Sequence, residues 1–68
     1  MDNDSKLKMI RLKELKMSQD QLAALAGLNR GTISSIEKGK DVRELTLSKL
    51  TEALSEKLGR EIKNSDVY

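Results

Sequence analysis

Apolar residues in this chain recur three and four positions apart instead of alternating, and they divide it into short amphipathic helices. Leu7, Ile10, Leu12 and Leu15 predict a first helix, capped by Asp4 or Ser5 and running to about Lys16. Leu22, Leu25 and Ala26 predict a second, opened by Ser18 with Gln21 at capping-box spacing and stopped by Gly27. Leu28 can plug the corner that follows. Asn29 is a good cap for a third helix reaching about Lys38, with Ile33 and Ile36 on one side and Arg30, Gly31, Ser34, Ser35 and Lys38 on the other. Gly39 ends it. Leu47, Leu50, Leu54 and Leu58, with Ala53 beside them, line a fourth helix that begins between Asp41 and Thr46 and breaks at Gly59. Asp41 and Glu44 have capping-box spacing, and Thr46 is an alternative cap. Arg60 to Tyr68 carries Ile62 and Val67. Either it forms a single packed turn, or the sequence stops before a fifth helix capped by Ser65 or Asp66 is complete. Met1 to Ser5 is polar and expected to fray.

These elements predict an all-α fold, a compact bundle of four to five short helices forming one domain over residues 1–68. The expected core is Leu12, Leu15, Leu22, Leu25, Ile33, Ile36, Leu47, Leu50, Leu54 and Leu58. Composition agrees: proline is absent, Tyr68 is the sole aromatic residue, and little is available to build a sheet. Cysteine and histidine are also absent, which excludes disulfide staples and the common transition-metal sites; no metal or cofactor is expected. No apolar run approaches the ~18 residues a membrane span needs. The acidic, polar start is unlike a secretory signal. An enzyme is not expected, because the serines lack a base to activate them and there is no phosphate-binding glycine loop.

Functional interest concentrates between Ser18 and Lys40, two short helices joined by a tight turn. Ala23 falls where the two should approach closely, and Gly27 makes the turn. The second of the pair has an anchoring apolar face and an outer face that is small, polar and basic. A helix that enters a DNA groove ~12 Å wide needs that division. The net charge of +2, from 13 basic and 11 acidic residues, would not alone argue for nucleic acid. The local grouping of Arg30, Lys38, Lys40 and Arg43 does, although Glu37, Asp41 and Glu44 interrupt it and focus the field.

Ser18-Gln19, Leu22-Ala23, Gly27-Leu28, Thr32-Ile33-Ser34 and Ile36-Glu37-Lys38-Gly39-Lys40 occur in order and without a gap. Through them the stretch 18–40 resembles the helix-turn-helix of the lambda-repressor and Cro-like regulators, the XRE-type family of bacteria and phages. Thr46-Leu47 and Ala53-Leu54 are similar to that family's fourth helix, and a fifth helix is usual in it. The resemblance implies that an arginine late in the first helix pairs with the glutamate near the end of the recognition helix, here Arg11 and Glu37. The spacing from Arg11 to Ser18 is one residue longer than the usual pattern. The loop after Gly39 is slightly shorter. The resemblance also implies a phosphate contact by Gln19, which sits at a helix N-terminus where backbone N–H groups attract anions.

The expected base contacts are Arg30 first, whose fork matches guanine O6 and N7, then Ser34 and Ser35, whose hydroxyls discriminate weakly. Gly31 suggests close approach of the backbone to DNA, or an ordinary first-turn glycine. Backbone contacts are expected from Gln19, Asn29, Thr32, Lys38, Lys40 and Arg43; Thr32 can instead bond locally to Asn29. The other lysines read chiefly as a solvated face. One arginine and two serines cannot specify a long site. The expectation is therefore a homodimer on a near-palindromic double-stranded DNA operator, associating around Leu58, Ile62 and Val67. The function expected is a sequence-specific transcriptional regulator, a repressor, bacterial or phage-encoded, cytoplasmic and held at the nucleoid through its operator DNA, with no small-molecule ligand evident. A small helical protein-interaction module and the antitoxin of a toxin–antitoxin pair are the alternatives.

Overall fold

The computed structural model describes residues 5–68. The alternative cap at Asp4 and the fraying expected of Met1 to Asp4 lie outside the described residues. Among those described, the chain is all helical, and it packs into a bundle 30 × 25 × 22 Å across.

Ser5 opens α1 (Lys6–Met9), its hydroxyl accepting from the Lys8 N–H at 3.0 Å. The helix then continues as a π-helical segment (Ile10–Leu15) and ends with Lys16 in the left-handed region at φ 54°. A π-turn takes up one more residue than an α-turn. The extra residue between Arg11 and Ser18 is accommodated here, so Arg11 still faces inward.

Local sequence sets the limits of the next two helices. At α2 (Gln19–Ala26) the Ser18 hydroxyl accepts from the Gln21 N–H at 3.1 Å, and Gln21 Oε1 accepts from the Ser18 N–H at 2.9 Å. Both bonds of the capping box are thus made. Gly27, at φ 70°, lets the Leu28 N–H reach back to the Ala23 carbonyl at 2.9 Å and turns the chain toward α3 (Arg30–Glu37). Leu28 packs against the core at that corner. Gly39, at φ 77°, repeats the device after α3, with the Lys40 N–H donating to the Ser35 carbonyl at 2.9 Å.

The fourth helix, α4 (Glu44–Leu58), starts later than a cap at Asp41 would place it. Arg43 holds the cap position without a side-chain bond, and Thr46 lies inside the first turn. A last turn, α5 (Asn64–Val67), closes the chain. Its start is closed by Asp66, which accepts from the Lys63 N–H at 2.8 Å, so neither Ser65 nor Asp66 is the capping residue.

The core joins Leu7, Leu22, Ala23, Ala26, Ile33, Ile36, Leu47, Leu50, Leu54, Ile62 and Val67. Three expectations are corrected by it. Leu12 is 48% exposed and Leu25 37% exposed, so neither is a core residue. Arg11, one turn after the buried Leu7, takes the inward position, and Leu12 beside it faces outward. Leu15, Ala53 and Leu58 are only partly buried at the core's edge. Finally, Ile62 and Val67 are 6% and 1% exposed within the protein's own bundle, and so cannot form a face for a second copy.

The tail is fastened to α4 by polar groups. The Ser55 hydroxyl donates to the Thr51 carbonyl at 2.7 Å and accepts from the Ile62 N–H at 2.8 Å, and the Thr51 hydroxyl lies 3.2 Å from Asn64 Oδ1. Each satisfies a group that burial would otherwise leave unpaired.

Candidate nucleic-acid interface

Arg11 and Glu37 form the centre from which this face is built. Arg11 Nε donates to Glu37 Oε2 at 2.7 Å and Nη2 to Oε1 at 3.2 Å, a forked pair with side chains only 9% and 7% exposed. Arg11 Nη1 donates to the Met17 carbonyl at 3.0 Å, and Gln19 Nε2 donates to Glu37 Oε1 at 3.0 Å. The first helix, the entry to α2 and the end of α3 are therefore tied at one point. The Arg11–Glu37 pair expected from the family resemblance is present. The Gln19 bond to the same carboxylate had no signal in the sequence, because it depends on how α2 and α3 cross.

Ile33 and Ile36 are fully buried under α3, and Ala23 is buried where α2 packs on it. This fixes the opposite face of α3 outward. Arg30 and Gly31 are exposed, and Ser34 and Ser35 are half-buried beside them. A Cβ at Gly31 would meet Asn29 Oδ1 at 3.4 Å, an ordinary contact, so its lack of a side chain is not forced by the fold. Arg30 Nε lies 4.0 Å from Asp20 Oδ1 with both side chains largely in solvent, a pairing worth little and easily exchanged for another partner.

Thr32 makes the local bond. Its N–H and its hydroxyl both donate to Asn29 Oδ1, at 2.9 and 3.0 Å. In this arrangement the oxygen of Asn29 and the proton of Thr32 are engaged with each other. Lys38, Lys40 and Arg43 are exposed at and after the end of α3.

Two shallow notches meet at Gln19. One is lined by Arg11, Ser18, Asp20 and Arg30, the other by Lys8, Ser34, Glu37 and Lys38. Gln19, Arg30, Ser34 and Lys38 thus share one continuous surface. Lys8 joins them from α1, although helix periodicity alone left it on a solvated face. Arg43 lies away from these notches, at the entry to α4.

Residues 7–60 match the helix-turn-helix family model, Cro/C1 type. The chain belongs to the XRE-type helix-turn-helix family. No curated protein and no solved structure matches it. Family membership makes this helix-turn-helix protein a DNA-binding regulator domain, in a family whose domain is not enzymatic. In it α2 and α3 are the helices on either side of the turn at Gly27. None of the described helices is long and apolar enough to cross a membrane.

Proposed function

We propose that the protein is a sequence-specific transcriptional repressor that inserts α3 into the major groove of an operator. The observation that carries this reading is the division of α3. Ile33 and Ile36 lock one side into the core, while Arg30, Gly31, Ser34 and Ser35 present a slim outer side beside the basic end of the helix. Repression follows from occupying a promoter. Arg30 reads a guanine edge, and Ser34 and Ser35 let the helix sit close. Lys38, Lys40 and Arg43 meet phosphates along the groove wall, joined by Gln19 and, through its amide nitrogen, Asn29. For Thr32 to donate to a phosphate, its hydroxyl must leave Asn29.

One domain over the whole chain offers too few readers for a long site, so the operator is read by a homodimer. Its half-sites lie about one helical turn, ~34 Å, apart. Selection from a randomised duplex pool at two salt concentrations tests this. Recovery of a near-palindrome with half-sites one turn apart is expected. Binding without any enriched sequence would instead favour an architectural role, and absence of DNA binding would favour a protein partner. Sedimentation with and without the selected duplex then checks the dimer.

Single substitutions separate the roles. Arg30→Ala should cost ~1–3 kcal/mol at one base pair and relax the preference there. Lys40→Ala should weaken all sequences alike. Competition titrations with operators altered at single positions distinguish the two, and identical profiles would mean that the assignments are wrong.

A further inference from the structure

We propose that Tyr68 is a positioning residue for DNA binding, clamping the turn after α3 so that Lys38 and Lys40 are held toward the phosphates. The inference rests on the DNA-binding reading above and concerns a part of the chain, residues 61–68, that lies outside the family match.

The Tyr68 hydroxyl donates to the Lys40 carbonyl at 2.6 Å, with the Gly39 carbonyl 3.4 Å away. Among the described residues no backbone N–H donates to either of these carbonyls. The stretch from Gly39 to Val42 lies between α3 and α4, outside both helical hydrogen-bond ladders. It is otherwise fixed by the two bonds that close α3, from the N–H groups of Gly39 and Lys40, and by Val42, which packs against the core. A second anchor on the far side of Gly39 removes much of the freedom left to this turn.

The anchor is itself well held. Val67 is buried, Asp66 closes the turn at Lys63, and Lys6 Nζ donates to the Ser65 carbonyl at 2.9 Å. Tyr68 therefore reaches the turn from a tail fastened to both α1 and α4. A flexible turn bearing two cations must be ordered when it meets DNA, and a turn already ordered loses less on binding. The clamp touches backbone only, so it should raise affinity without altering which sequence is preferred.

Tyr68→Phe keeps the ring and removes only the hydroxyl. The wild type and this variant are titrated with the selected operator duplex and with an unrelated duplex, and their thermal midpoints are measured alongside. The expected result is a three- to tenfold weakening on both duplexes, the cost of ordering the freed turn on binding. The ratio between the two duplexes stays unchanged, and the thermal midpoint falls by about 5 °C at most, the worth of one exposed hydrogen bond. Faster amide exchange at Gly39 and Lys40 in the free variant should accompany it. Equal affinities for wild type and variant would overturn the proposal, as would a changed ratio, or a midpoint lowered so far that the variant is partly unfolded at the titration temperature, which would mean a general role in stability. If wild type binds neither duplex, the DNA-binding reading falls and this one with it. Normal wild-type binding with an unaffected variant strikes only the clamp.

Discussion

Glu37→Ala is expected to cost about 3–5 kcal/mol of stability, because it leaves the Arg11 guanidinium buried without its counter-charge. A domain of this length has only about 3–10 kcal/mol in total. The substitution should therefore leave a large fraction of the protein unfolded under ordinary conditions. Arg11→Ala should act similarly from the other side, leaving the Glu37 carboxylate without its bonded guanidinium and with the neutral Gln19 amide still donating to it. The pair does not have to be a large net source of stability for this to hold. Its desolvation cost is high, and the forked geometry and the extra bonds from Gln19 and to Met17 offset it. The penalty arises when one partner is removed.

That distinction gives the test. Replacing both residues with methionine, which fills similar space without charge, should recover most of the stability lost by either alanine variant. Urea denaturation of the wild type, the two single variants and the double variant measures it. If the double variant is as unstable as the sum of the two alanine losses, the pair acts independently and burial of an orphan charge is not the cause. The recovered double variant should still bind DNA poorly, since Gln19 would have lost the carboxylate that orients it.

The same pair marks the boundary of what the sequence discloses. The helix-turn-helix was legible because its limits are set locally: Ser18 with Gln21, Gly27, Asn29 and Gly39 each act through backbone groups within a few residues. Burial of Ile33 and Ile36 followed from spacing in one regular helix. The first helix was less legible because Ile10–Leu15 carries no glycine or proline to signal a change of pitch. Leu12 was assigned to the core because it is apolar, whereas the inward place one turn after Leu7 is held by a charged residue with a distant partner. Leu25 was misplaced for a related reason: it stands beside the buried face of α2, and a short helix packed on α3 and α4 does not cover its whole apolar stripe. The tail was readable as a turn holding Ile62 and Val67, but not as part of the core. That depends on Ser55 and Thr51, whose polar side chains lie on a helix face that a leucine count ignores.

On the candidate interface, which residue types share a surface was readable from the sequence, and their bonding partners were not. Arg30, Ser34, Lys38 and Gln19 do share a surface, yet the bond from Gln19 to Glu37 and the reach of Tyr68 to Lys40 cross 18 and 28 positions of sequence. Such contacts carry no local signal.

DNA affinity is expected to fall by about three orders of magnitude between ~50 and ~200 mM salt. Lys38, Lys40 and Arg43 are exposed on each protomer. A dimer placing all of them on phosphates would neutralise about six, for a slope of about −5 in log affinity against log salt. The nearby acids act unequally on this value. Glu37 is matched by Arg11 inside the protein and subtracts little, whereas Asp41 and Glu44 are exposed and lower the local field. Lys40→Ala should reduce the slope by about two, one phosphate from each half-site, whereas Arg30→Ala should leave it nearly unchanged if Arg30 meets a base. Titrations of labelled operator at four or more salt concentrations give all three slopes. A wild-type slope near half the expected value would mean that one protomer binds alone. A slope near zero would mean that the basic end of α3 does not contact DNA, and Lys38, Lys40 and Arg43 would then belong to a surface for an acidic protein.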